Sequence, residues 1–423
     1  MRSALVLWSG FAALALGFCP SLAPNFDEGV YLAQAEFIWN GQVPFRDFFY
    51  HQTPLYPLLI APSAAFGTAS VFVARGVSIL ATATAGLLLG RLACAYSGPR
   101  AGLFAQSIFY LAPLSHYGLL VLPNGIMVLC TVTGFYLLLV RERPVLAGCA
   151  LAVAVFLKPL AVSTAIALVL SAAFARRSVP RVILGGALGG TLLIGLTALW
   201  SGGAFFDLLA LQFGRYGERS GFEVMEQIPE FARVMKDRGV VGPMSWSLME
   251  HRNTFLNWGP LNGNAWILLT AAWVPWALRG RTEWPRAAMG CWLGLPVLFA
   301  VAVWEPVWDH YFMQYLPVLS LASAAVVERA YGLRPKWVVA VGLVFVFLTL
   351  ALHPLEPAYI KTLRDAVRGR EGEKIASFNP MVHAVGGTQP ACGLVDPMNV
   401  FGDFCAASLA RDNPLARFRI DDV

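Results

Sequence analysis

From 145 to 175 the sequence is apolar except for a single charge, Lys158, and Pro159 follows it directly. A run of this kind belongs in hydrocarbon, where a helix satisfies its own backbone polar groups. One straight span takes ~20 residues, so the run is too long for one. Proline ends a helix at the residue before it, so the Lys-Pro pair predicts two short spans meeting at a break. Lys158 is also the only lysine in the first 230 residues. A lone ammonium at such a break is either a functional charge or a side chain snorkelling to the membrane surface.

Similar apolar runs recur along the chain. Together they predict about eleven spans: 4–20, 70–90, 101–117, 122–140, the two halves of 145–175, 182–200, 264–278, 287–304, 311–328 and 337–353. Charged residues make up 13% of the chain, about half the usual share of a soluble domain. The fold class expected is therefore an all-α polytopic membrane protein. A first loop, 20–70, holds two interfacial helices at 28–40 and 48–66. A second long polar loop, 201–262, contains a helix near 222–238 that suits a lid lying on the membrane. The membrane domain is 1–353. The remaining 354–423 is polar enough to fold outside the bilayer as a small α/β or irregular segment, with short strands near 375–378 and 393–396.

Charge placement sets the topology. Arg and Lys concentrate in 91–100, 141–144, 176–181, 279–286 and 329–336, whereas Asp27, Glu28, Asp47, Glu305 and Asp309 fall in the alternate loops. The positive-inside rule then places the N-terminus in the cytoplasm and the acidic loops and C-terminal segment outside it. One span across 145–175 would invert every later loop and break the rule. All six histidines, at 51, 116, 251, 310, 353 and 383, fall on or near the same outer side. The first segment lacks a small-residue cleavage site and reads as a span, not a cleaved signal. The net charge of +6 sits in short loops between spans, which excludes a nucleic-acid partner as its explanation.

The outer loops carry the candidate chemistry. Asp27 and Glu28 sit side by side just past the first span. One carboxylate suits a general base that takes a hydroxyl proton, and its neighbour suits a metal or the acceptor. The alternative is helix capping, since Asn25 and Glu28 have the capping-box spacing. Lys158 suits a lipid-linked phosphate as a point charge. Arg75 is a second phosphate contact or an interfacial anchor. His310 suits phosphate binding or proton donation. Tyr311, with Trp304 and Trp308, suits stacking on a sugar or an aromatic belt. Asp47, Tyr50 and His51 complete the candidate substrate-binding set in the first loop. Asp27, Glu28, His51 and His116 are the residues for a divalent metal, if one binds. Cys392 and Cys405 fall on the oxidising side and are candidates for a disulfide. There is no P-loop, no Gly-rich dinucleotide fingerprint and no Ser-His-Asp spacing.

The stretch DEGVYLAQAEFIWNGQVPFRDFFYHQTPLYPLL, within Pro24 to Pro62, resembles the first extracytoplasmic loop of the GT-C type glycosyltransferases. Within that group it is similar to those using polyprenyl-phosphate sugars, such as protein O-mannosyltransferases and the aminoarabinose transferases of lipid A. The shared pattern is Asp-Glu, a Tyr and Ala on the following helix, then Gly, Pro, Asp and a turn into the next helix. Gln52-Thr53-Pro54 stands where Lys-Pro-Pro is common, so no lysine role is carried to that turn. Asp309-His310-Tyr311 with Gln314-Tyr315-Leu316-Pro317 also resembles a segment of these enzymes. The resemblance implies a GT-C fold and inverting transfer of a monosaccharide from a polyprenyl-phosphate carrier to a lipid, glycan or protein hydroxyl. It implies Asp27 as the base and basic residues such as Lys158 on the phosphate. No cofactor is required, because the donor carries its own leaving group. Two other readings remain open from sequence: a transporter or flippase of lipid-linked substrates, and a lipid-linked-glycan ligase or polymerase.

Overall fold

The computed structural model describes residues 2–22, 26–48, 52–206, 290–296, 313–333, 374–375 and 389–390. The predicted spans near 264–278 and 337–353, the 222–238 helix and most of the 201–262 loop lie outside them.

The first helix, α1 (Arg2–Phe18), passes through a 3-10 turn at Cys19–Ser21. Next come α2 (Phe26–Trp39) and α3 (Leu55–Ile60). A 3-10 stretch, Ala61–Ala69, then leads into the 28-residue α4 (Ser70–Ser97). The chain turns into α4 at Gly67, whose φ of 53° and ψ of −127° suit a residue without Cβ. The bundle continues with α5 (Pro99–Leu111), α6 (Asn124–Leu139), α7 (Pro144–Leu157), α8 (Val162–Phe174) and α9 (Val179–Trp200). After a described helical segment at 290–296 comes α10 (Leu316–Leu333). In the tail, Lys374–Ile375 (β1) pairs in parallel with Gln389–Pro390 (β2). The first overlaps the expected 375–378 strand at Ile375; 376–378 and the expected 393–396 strand lie outside the described residues.

The break at Lys158 is present. Lys158 is extended at φ −152° and ψ 113°, and a single 3-10 turn at Pro159–Ala161 separates α7 from α8. The packing of α7 on α9 carries the consequence. Gly148 lies against Val182 and Gly186, Gly185 against Val145, and Gly189 against Ala152 and Cys149. Later residues of one helix meet later residues of the other, so the two run parallel. That requires a reversal between them, which α8 supplies. The glycines let the backbones approach closely, as small residues do between helices in lipid.

Two ends of the bundle follow from these directions. At one end Arg177 pairs with Glu142 at 2.6 Å, Tyr96 donates to the Leu139 carbonyl at 2.9 Å, and Arg100 lies over the Tyr331 ring at 5.4 Å. These contacts gather the α4–α5, α6–α7 and α8–α9 turns and the end of α10, with Arg91, Arg141, Arg143, Arg176, Arg181 and Arg329 among them. The opposite end holds the first loop, the α5–α6 connection and Lys158. The described basic loops thus share one end, as the charge pattern requires.

Helices α5, α7 and α8 have 13, 14 and 13 residues. Each is about 20 Å long, short of the ~30 Å hydrocarbon layer. All three stop short at the Lys158 end, where irregular backbone completes the path. The span expected at 101–117 ends as α-helix at Leu111, because Pro113 cannot continue it, and goes on as a 3-10 turn, Pro113–Gly118. The following Leu119, Leu120, Val121 and Leu122 are buried. Irregular backbone at such depth is tolerated where protein covers it.

The first loop differs from the expected pair of surface helices. Residues 28–35 of α2 are all buried. Eight consecutive buried residues cover every side of the helix, so this part of α2 is enclosed, not laid on a surface. α3 and its 3-10 extension show an open apolar face, with Leu58, Leu59 and Phe66 exposed.

Candidate active site

Asp27 and Glu28 are neighbours on the first turn of α2, and the helix turns their side chains about 100° apart. Their surroundings differ accordingly. Glu28 is 0% exposed and lies against Arg75 of α4, also 0% exposed. Arg75 donates from Nε to Glu28 Oε1 at 2.8 Å and from Nη2 to Oε2 at 2.7 Å. Its Nη1 donates to the carbonyls of Cys19 and Leu22, at 2.8 and 3.2 Å, in the turn that follows the end of α1. Glu28 Oε1 also accepts the Val121 N–H at 2.8 Å. One ion pair therefore satisfies backbone groups from the end of α1 and from the irregular 119–122 segment. It ties α1, α2, α4 and the α5–α6 connection together.

That geometry corrects two expectations. Arg75 was a candidate phosphate contact, but its guanidinium is buried and occupied by Glu28 and two carbonyls. Glu28 was paired with Asp27 as catalytic, but both its oxygens serve the fold.

Asp27 is partly exposed and acts electrostatically on Lys158. Lys158, 3% exposed, donates from Nζ to Asn124 Oδ1 at 3.0 Å. Asn124, 0% exposed, is the first residue of α6. The site is therefore assembled from the start of α2, the start of α6 and the break between α7 and α8. The Gln52-Thr53-Pro54 turn is hooked on beside it: Thr53 Oγ1 donates to the Phe156 carbonyl, two residues before Lys158, and Gln52 Oε1 accepts from Tyr31 Oη at 3.0 Å. A packed scaffold thus brings an accessible carboxylate and a buried ammonium together. That pairing suits a hydroxyl to be deprotonated next to an anion to be held.

Asp47 sits in the turn Val43–Phe48. Its Oδ2 accepts the Val43 N–H at 2.8 Å, and Arg46 grips both oxygens at 2.8 Å. The turn places Phe45 at φ 69° with its ring buried near Phe205, centroids 5.4 Å apart. The hydrogen bonds from Arg46 hold the Asp47 carboxyl below the usual range. A lowered folded-state pKa means the stabilising contribution is present above the ordinary carboxylate range and lost as pH falls through the lowered value. The difference in unfolding midpoint between wild type and Asp47→Asn is therefore expected to be constant above about pH 5 and to shrink below about pH 4. A difference that persists undiminished at the acid end contradicts the role assigned to this carboxylate.

His116 is buried in the α5–α6 connection, edge-on to Tyr117. Tyr50, His51, His310, Tyr311, Cys392 and Cys405 lie outside the described residues. Among the described residues no group of three His, Cys, Asp or Glu side chains is placed to hold a metal, and Glu28 is already occupied by Arg75. Of the expected donors His51 lies outside the described residues, and no chemistry is routed through a metal. Asn124 and Thr53 were not singled out from sequence as site residues. The available signal was Asn124 directly after Pro123 at the start of a span.

No family model and no curated protein matches the sequence. Solved structures do match. The oligosaccharyltransferase of Archaeoglobus fulgidus, in complex with Zn and sulfate, aligns with 98% of this chain and 66% of its own, at a TM-score of 0.59 and 13% identity. ArnT from Cupriavidus metallidurans in the apo state aligns with 78% of this chain and 61% of its own, at a TM-score of 0.53 and 16% identity. ArnT bound to undecaprenyl phosphate aligns with 90% and 74%, at 0.50 and 14%. At these identities the likeness is one of fold, and the chain spans about two thirds of the length of the structures it matches. It has the polytopic fold of the GT-C membrane glycosyltransferases.

Proposed function

We propose that the protein is an inverting glycosyltransferase that moves a monosaccharide from a polyprenyl-phosphate carrier to a hydroxyl acceptor at the outer face of the membrane. The observation that carries the reading is the juxtaposition of Asp27 and Lys158 at the end opposite the arginine loops, within a fold shared with glycosyltransferases. The positive-inside rule assigns the arginine end to the cytoplasm. ArnT binding undecaprenyl phosphate supports a carrier of that kind here.

In this reading Asp27 takes the proton of the acceptor hydroxyl. The acceptor oxygen bonds to the anomeric carbon as the bond from that carbon to the phosphate oxygen breaks. The electron pair leaves with the carrier phosphate, whose negative charge Lys158 stabilises. Attack opposite the leaving group inverts the anomeric centre.

A lipid-linked oligosaccharide is the second donor reading, favoured by the 98% coverage against an oligosaccharyltransferase. Purified full-length protein, given polyprenyl-phosphate monosaccharides or a lipid-linked oligosaccharide together with a mixture of hydroxyl acceptors, separates the two. Release of carrier phosphate from the monosaccharide donors, with an inverted product anomer, is expected. Release from the oligosaccharide donor alone replaces the first reading with the second, and release from neither removes both. Lys158→Met is expected to weaken undecaprenyl phosphate binding about tenfold or more, since it deletes a buried charge from a phosphate contact. Wild-type affinity in that variant rejects the role given to Lys158.

A further inference from the structure

We infer that Asn124 is a positioning residue that lets this site select an anionic carrier head group, because it holds the Lys158 ammonium through a neutral acceptor. The inference rests on the carrier-phosphate reading above and goes further, assigning the selectivity to a residue outside the proposed chemistry.

Asparagine at a helix start ordinarily caps it, accepting backbone N–H groups of the first turn. Here the cap position of α6 belongs to Pro123, which makes no side-chain cap bond. Asn124 is one residue inside the helix, and its Oδ1 receives Lys158 Nζ at 3.0 Å. Both side chains are buried, Asn124 completely. A buried ammonium needs acceptors, and the most economical acceptor would be a carboxylate. Asp27 already acts on this ammonium. A carboxylate at 124 would add a second acid beside this ammonium and repel a phosphate. The amide fixes the ammonium in place without adding negative charge.

The test uses the full chain in lipid nanodiscs, with undecaprenyl phosphate and the uncharged undecaprenol as probes. Wild type is expected to prefer the phosphate. Asn124→Asp is expected to reduce that preference by about tenfold or more while leaving undecaprenol binding intact, since like charges are brought together in a desolvated site. In a Lys158→Met background the same substitution is expected to add less than about twofold, because coupled residues are not additive. A general packing defect would weaken both probes alike. Should Asn124→Asp fail to fold, Asn124→Leu carries the test. It is neutral and lacks an acceptor, and it is expected to lower phosphate affinity about threefold with undecaprenol unaffected. Wild-type preference in Asn124→Asp or, in that event, in Asn124→Leu overturns the proposal, as does an equal loss without Lys158. Absence of any phosphate preference in wild type instead removes the carrier reading, and this inference with it.

Discussion

Glu28→Gln destabilises the folded protein by about 3–5 kcal/mol, the range for removing one partner of a buried ion pair. The amide keeps the size of the side chain but not its charge. Arg75 then remains buried among Cys19 O, Leu22 O and a neutral neighbour. Glutamine has one acceptor oxygen where the carboxylate had two, and that oxygen cannot serve Arg75 Nε, Arg75 Nη2 and the Val121 N–H together. The expected readout is a lowered unfolding midpoint in detergent and a reduced yield of monodisperse protein. Arg75→Met alone should cost a similar amount, since it strands the Glu28 charge. The double variant Glu28→Gln/Arg75→Met should recover part of the loss, because no uncompensated charge remains. A Glu28→Gln protein of wild-type stability that fails only in turnover would return Glu28 to the chemistry.

The same pair shows how far the sequence could be read. Two carboxylates beside a span pointed to a site, and the structure sets one of them against Arg75 and the other toward Lys158. Nothing in their adjacency said which one faces inward. That depends on the partner of α2, an arginine 47 positions away in the chain, and on the fully buried 119–122 segment. The break at Lys158 was legible because Lys-Pro in hydrocarbon has few outcomes, and the spacing of basic loops gave an independent check. The irregular 112–123 connection was only half legible. Pro113 stops α5, but the burial of Leu119–Leu122 follows from tertiary cover that no local pattern encodes. Asn124 was not legible as a site residue, because its partner, Lys158, lies 34 positions later. The enclosure of α2 was not legible, because a 14-residue helix that mixes apolar and acidic residues has the composition of a surface helix, and the groups that bury its polar side chains come from distant segments.

Asp27→Asn is expected to lower turnover by about 10²–10⁴-fold, the usual worth of a general base, with the fold intact. The fold is spared because Asp27 is not part of the Glu28–Arg75 clamp, so the two neighbouring acids separate stability from chemistry. Asparagine matches aspartate in size and cannot accept the acceptor's proton. Lys158 loses a negative charge acting on it, and the carrier phosphate supplies one in its place. Affinity for undecaprenyl phosphate should therefore stay near that of wild type, while kcat falls. A loss of turnover through misplacement of Lys158 would weaken carrier binding, and the split between the two measurements excludes it. Turnover that survives in Asp27→Asn removes the proposed base. The accessible carboxylate on α2 would then be left with only an electrostatic part, beside an ammonium that some other group must assist.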